Sequence, residues 1–219
     1  MKNFLFKIFS FFIKFFLFIF IFFSSLEDQL AQDPYYYRFT TQKQNSLILG
    51  NSRASQGLIP EIFNNELNIN IYNYGFTISN SPYGPSYLES IMKKLNNETK
   101  EGIFILTVDP WSISTINNPN DNINLFLEKE RFIGKLNFVN VNPNFEYLFL
   151  FSEANNFYDL LNKNIKKPST YLHKNSGWLE INVPMDSLSF NKRLVDKISD
   201  YNKKIDLYTH SEKRLTYLK

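Results

Sequence analysis

Ser52 is the residue in this chain best placed for covalent chemistry. It stands within Leu-Ile-Leu-Gly-Asn-Ser-Arg-Ala-Ser-Gln-Gly, residues 47–57, a small polar turn directly behind an apolar run. A serine just past a buried strand holds its hydroxyl out into the crevice beyond the sheet, where it can attack an acyl carbon once a base takes its proton. Gly50 ahead of it permits close backbone approach, and the first N–H groups of a following helix can hold a developing oxyanion. The same pattern also describes an ordinary turn serine. It could equally cradle an anion through backbone N–H groups and Arg53, although the lysine and spacing of a P-loop are missing. It fits the nucleophile elbow G-x-S-x-G poorly, because Ala54 fills the fifth position and the turn follows the first strand.

A serine nucleophile needs a base, and the chain offers two histidines, His173 and His210, and no cysteine. The absence of cysteine excludes a thiol nucleophile, a disulfide frame and any Cys-ligated metal. His173 sits on a loop from which it could reach a crevice. His210 lies four residues after Asp206, the spacing of a surface ion pair on one helix face. Asp109, at the end of a strongly apolar run and beside Ser112, is the second site candidate; its plain alternative is an Asp-Pro turn that ends a strand. Trp111 and Trp178 read as packing residues. Glu128, Glu130 and Glu153 lack metal-ligand spacing, and nothing in the chain calls for a metal or cofactor.

The elements that must position these residues follow a repeating order. Residues 46–50 form a short apolar run ended by glycine, as in a strand buried on both faces. Pro60 opens a helix over Pro-Glu-Ile-Phe-Asn-Asn-Glu-Leu, and a second strand runs from Ile69 to Gly75. After Pro85 comes a helix with Tyr87, Leu88, Ile91, Met92 and Leu95 on its apolar face and Lys93 and Lys94 on its wet face. Residues 103–108 give the strongest strand pattern of all. Strand, helix, strand, helix, strand is the order of right-handed parallel crossover units, so the fold class is α/β, with sites expected beyond the carboxyl ends of the strands. Those ends are residues 50–54, 73–77 and 109–112. Later, residues 125–136 and 144–162 carry helical spacing, residues 171–186 read as a hairpin around Gly177, and residues 188–208 as an amphipathic helix with Leu194, Ile198, Tyr201 and Ile205 on one side.

The chain begins with a different kind of segment. Residues 4–23 are almost wholly Phe, Ile and Leu, long enough as a helix to span a bilayer core. Lys2, Lys7 and Lys14 on its amino-terminal side predict a cytoplasmic start and an extracytoplasmic remainder. No clean small-x-small cleavage site follows, so the segment reads as an uncleaved single-pass anchor. The division is therefore an anchor over residues 1–25, a juxtamembrane linker over 26–44 and one domain over 45–219. Tyr35, Tyr36 and Tyr37 in the linker suit either the membrane interface or packing on the domain. A net charge of +3 without any basic stripe argues against nucleic acid.

Gly50-Asn51-Ser52-Arg53 behind the first strand resembles the first block of the SGNH, or GDSL-like, hydrolases. The wider residues 47–60 are similar to membrane-anchored members associated with polysaccharide acylation and wall-polymer D-alanylation. The resemblance covers about residues 45–115. It implies a three-layer α/β/α domain with a parallel sheet, of SGNH or flavodoxin-like type, and ester hydrolysis or acyl transfer on surface carbohydrate or wall polymer. Ser52 would then be the nucleophile, the Ser52 and Gly75 N–H groups the oxyanion donors, and Asn51, Arg53 and Asp109 the residues shaping substrate binding. Implied partners are membrane lipid, the polymer and a membrane acyltransferase. Where the family has Gly-x-Asn-Asp, this chain has Val108-Asp109-Pro110-Trp111, and Asn51 replaces the usual aspartate. The family's base is Asp-x-x-His, but Thr170 and Leu207 stand three residues before the two histidines. This predicts that the Asp-x-x-His block lies beyond Lys219, in a longer protein of which this is a truncated copy, or that the chain is a degenerate member. The competing expectation is a non-catalytic anchored accessory that keeps the fold and binds a polymer or partner.

Overall fold

Leu47, Ile48 and Leu49 are all buried, and the domain is organised around them. The computed structural model describes residues 2–25, 33–154 and 169–218. In chain order, α1 (Lys2–Ser25) is followed by α2 (Tyr36–Thr40), β1 (Ser46–Leu49), α3 (Ser52–Gly57), α4 (Pro60–Leu67), β2 (Ile71–Asn73), α5 (Pro85–Lys94) and β3 (Phe104–Leu106). Then come β4 (Ser114–Ile116), α6 (Phe132–Lys135), α7 (Phe145–Ala154), β5 (Thr170–Leu172), β6 (Leu179–Ile181), α8 (Ser187–Ile205), β7 (Tyr208–His210) and α9 (Glu212–Thr216). Strands β2, β1 and β3 form a parallel sheet in that order, Leu47 lying between Tyr72 and Phe104 in register. The mixed α/β expectation therefore holds in its coarse form.

Because side chains alternate across a strand, β1 feeds two cores. Ile48 and Ile71 meet Ala54, Leu58, Phe63 and Ile105 on one face. Leu47, Leu49 and Tyr72 join a larger aromatic cluster on the other, with Phe39, Tyr74, Phe76, Tyr87 and Tyr147. The rings of Tyr74 and Phe76 meet edge to face at 5.0 Å, and those of Phe132 and Tyr147 stack at 4.7 Å, geometries that add to plain burial.

Two readings are decided here. The first is the linker, whose tyrosines suit either a membrane interface or packing on the domain: α2 is buried throughout, so Tyr36 and Tyr37 pack in the domain core. Residues 26–32 lie outside the described residues. The guanidinium of Arg38 is wholly enclosed and donates to Asn73 O, Pro34 O, Ser55 Oγ and Gly177 O; burial lowers its pKa to about 10. The second is Lys94. It is buried, its Nζ bound to Thr41 O, Thr41 Oγ1 and Val139 O, while Leu88 and Met92 of the expected apolar face are exposed. A cage of oxygens drawn from distant segments has overridden the helix's own polarity pattern. Burial pulls the Lys94 pKa to about 7.

The strand expected to be strongest is short. β3 has three residues, and Phe104 and Leu106 are 45% and 44% exposed, because it is an edge strand. Beyond the sheet, β4 pairs antiparallel with β7, and β5 with β6 in the expected hairpin. Residues 125–136 form 3-10 turns and the short α6 instead of one helix, with Glu128 turned inward. Arg214 of α9 grips that carboxylate with both terminal nitrogens at 2.7 and 2.9 Å, and donates to Tyr83 O. Of the helix expected over 144–162, α7 covers 145–154, and residues 155–168 lie outside the described residues. α8 matches its amphipathic pattern, yet none of its residues is buried. α1 is long and apolar enough to cross a membrane.

Candidate functional site

The turn after β1 is built by Gly50. Its φ is +141°, and an added Cβ would lie 1.9 Å from Thr107 Oγ1, so no larger residue fits. Gly50 N–H donates to the Tyr87 hydroxyl and Gly50 O accepts from Phe76 N–H and Ser81 Oγ. That anchorage launches Asn51 as the N-cap of α3: its Oδ1 accepts from Arg53 N–H at 3.0 Å. Ser52 is the first residue of α3, half-buried, and its hydroxyl has no hydrogen bond among the described residues.

The third strand end is tied to the first. Asn51 Nδ2 donates to Asp109 Oδ2 at 2.6 Å, and Arg53 Nη1 reaches the same oxygen at 3.0 Å. Asp109 Oδ1 accepts from Ser112 N–H at 2.9 Å, capping the turn Pro110–Ile113, while Asp109 N–H donates to Ser112 Oγ. The Asp109 side chain is only 11% exposed. With both oxygens bound, it works as a brace between two loops. The structure thus brings Asn51, Ser52, Arg53 and Asp109 together as the sequence predicts.

These residues line one wall of a small, half-open crevice of about 80 Å³. Ile78 adds to it from beyond β2, and Trp111 from the turn after Asp109. The opposite wall comes from late in the chain: Lys197, Asp200, Tyr201 and Lys204 of α8, and Tyr208 of β7. Trp111 stacks on Tyr201 at 5.9 Å and meets Tyr208 edge-on at 4.8 Å. Lys197 Nζ lies 5.1 Å over the Tyr201 ring. Lys204 donates to Asp200 at 2.8 Å; that bond raises the Lys204 pKa and holds Asp200 below the usual carboxylate range. Lys204 therefore stays protonated and offers no base. The crevice is thus walled by aromatic rings packed on one another and edged by ammonium and carboxylate groups.

Neither histidine lines the crevice. His173 lies on the β5–β6 hairpin, its Nε2 2.9 Å from Glu180 Oε2 and its ring stacked on Trp178 at 4.7 Å. That hairpin docks at the far end of α3, where Trp178 Nε1 donates to Gln56 O. His210 points to Glu212 at 3.3 Å. It makes no helical pair with Asp206, because α8 stops at Ile205 and β7 begins at Tyr208. Both candidate bases are thus held by glutamates outside the site. The chain matches no family model, no curated protein and no solved structure.

Gly75 N–H donates to Asn73 Oδ1 at 3.0 Å, so it is engaged rather than free for the oxyanion role expected of it. The α8 and β7 wall was missed by sequence reasoning. A local signal existed: Asp200 and Lys204 are four apart beside Tyr201, so one helix edge carries an ion pair and an aromatic ring together. Trp111, taken as packing, packs indeed, but with one edge in the crevice.

Proposed function

We propose that this is a single-pass membrane protein with an extracytoplasmic, three-layer SGNH-like domain that processes acyl esters on surface carbohydrate or cell-wall polymer, by hydrolysis or by transfer with a membrane acyltransferase. The observation that supports it is Ser52: an unbonded hydroxyl at the first position of α3, directly behind β1, facing an aromatic-walled crevice. Ser52 would attack the acyl carbon while its N–H holds the oxyanion, with the Asn51–Asp109–Arg53 brace fixing the turn. Neither His173 nor His210, each beside a glutamate outside the crevice, is placed to take the Ser52 proton, so this reading leaves the base unassigned. α1, with Lys2, Lys7 and Lys14 on its amino-terminal side, supports anchorage with a cytoplasmic amino terminus.

The non-catalytic accessory is the second reading, and one observation favours it: both histidines are engaged by glutamates away from Ser52. The detergent-solubilised full chain decides between the two. On the catalytic reading a serine-directed fluorophosphonate labels the protein and aryl acetates turn over, and Ser52→Ala removes both by about 100-fold or more. Absent labelling and turnover, with polymer still retained by wild type and Ser52→Ala alike, leaves the accessory.

A further inference from the structure

α8 is nineteen residues long and buries none of them. Its sides have different chemistry. Lys197, Asp200, Tyr201 and Lys204 line the crevice, and round the helix from Tyr201 the side chains of Leu194, Val195, Ile198 and Ile205, with Leu188, form a stripe open to solvent. Away from the crevice stand three basic residues, Lys192, Arg193 and Lys203, against Asp196. A helix whose apolar stripe has no partner among the described residues, with basic residues on its polar face, is the pattern of an interfacial helix, lying in the plane of a bilayer with its basic residues on anionic headgroups.

The chain also fixes which end of the domain is nearest the anchor. Ser25 closes α1, and only eight residue steps separate it from Asp33, a reach of at most about 29 Å. Asp33 Oδ1 accepts from Tyr35 N–H, Tyr36 N–H and the Tyr147 hydroxyl, which fastens the tether to the domain. Tyr35 in turn donates to Thr77 Oγ1, beyond the carboxyl end of β2, and the next residue, Ile78, lines the crevice. The tether thus meets the domain one residue away from a crevice-lining position, and α8 supplies the crevice's other wall.

We infer that α8 lies on the bilayer surface, its Leu188–Leu194–Ile198–Ile205 stripe in the headgroup boundary and its lysines and arginine on anionic lipid, so that the Ser52 crevice opens about one helix diameter from the headgroups. This rests on α1 being an anchor. A short tether supports it by keeping the domain at high effective concentration over the membrane, where a weakly binding helix is held down.

The chain has no cysteine, so single labels need no background removal. The full chain carrying Ile198→Cys or Lys203→Cys is labelled with an environment-sensitive fluorophore and reconstituted into vesicles containing phosphatidylglycerol, with and without brominated acyl chains. The Ile198 probe is expected to shift blue and to be quenched at least about twofold by bromolipid, and the Lys203 probe to remain solvent-like; in purely zwitterionic vesicles the difference shrinks. A solvent-like Ile198 probe overturns the inference alone, provided the protein stays with the vesicles through a carbonate wash. Loss of the protein in that wash overturns the anchor as well. Shielding of Ile198 that ignores bromolipid and grows with protein density assigns the stripe to a second copy, and also overturns it.

Discussion

The two edges of the central sheet present similar apolar strands but meet very different surroundings. On the β2 edge, the turn of the β5–β6 hairpin closes in: Asn73 N–H donates to Ser176 O at 2.7 Å, and Gly177 O accepts from Arg38 Nη2 at 2.7 Å. Gly177 makes this possible, with φ +72° and room for no Cβ, since one would lie 2.2 Å from Asn73 O. On the β3 edge, Leu47 N–H bonds Ile103 O and Thr107 N–H bonds Leu49 O, so the polar groups of Phe104 and Leu106 point away from β1. Their side chains are nearly half exposed, as is Val108. Hydrophobicity alone therefore did not decide which strand is enclosed. The covered edge is the one to which a long-range donor, Arg38, could bring a turn with free carbonyls.

The largest test of that contrast is Arg38→Ala. It strands four acceptors and opens a cavity under the hairpin, so a loss of roughly 3–5 kcal/mol is expected in denaturant unfolding of the detergent-solubilised chain. A loss under about 1 kcal/mol would show that the β2 edge closes without it. The covered side should also carry a pH signature. Lys94 has a pKa near 7 in the fold against 10.5 as its ordinary value, so above pH 7 the unfolded chain binds more protons. Stability should then rise with pH from about 7 toward 10, at up to about 1.4 kcal/mol per unit. Tyr72, pushed up to about 12 by burial, works the other way: its contribution is complete below pH 10 and is lost as pH climbs through its folded pKa. Thermal unfolding at pH 7, 8.5 and 10 measures this, and Lys94→Met should flatten the rise. The smallest effect belongs to the open edge. Leu106→Thr is expected to change stability by no more than about 0.5 kcal/mol; a larger loss would mean that β3 is covered in solution.

What the sequence made legible was local. Gly50 after an apolar run, Pro60 and Pro85 at helix starts, and the amphipathic period of α8 all act within a few residues, and each places its element correctly. The site's first wall was legible for the same reason: strand ends in a parallel sheet gather at one edge, so Ser52 and Asp109 had to be neighbours. Lys94 failed because its wet appearance on the helix is a short-range property, while its three acceptors come from Thr41 and Val139, more than forty residues away on either side. Tyr201 and Tyr208 failed similarly, since no local pattern announces that a late helix returns to Trp111. The linker stayed open between interface and domain because Tyr-Tyr-Tyr-Arg-Phe suits water, headgroups or a core, and only Arg38's partners choose among them.

The Trp111 contacts with Tyr201 and Tyr208 set an order on the birth of the site. The brace joining Asn51, Arg53 and Asp109 needs nothing later than Ser112, so it can form while the ribosome is still making the second half of the chain. The facing wall must wait until α8 and β7 have emerged and β7 has paired with β4. Ser52 thus stands on a wall drawn from the first three strand ends, and the crevice gains its second side only from α8 and β7.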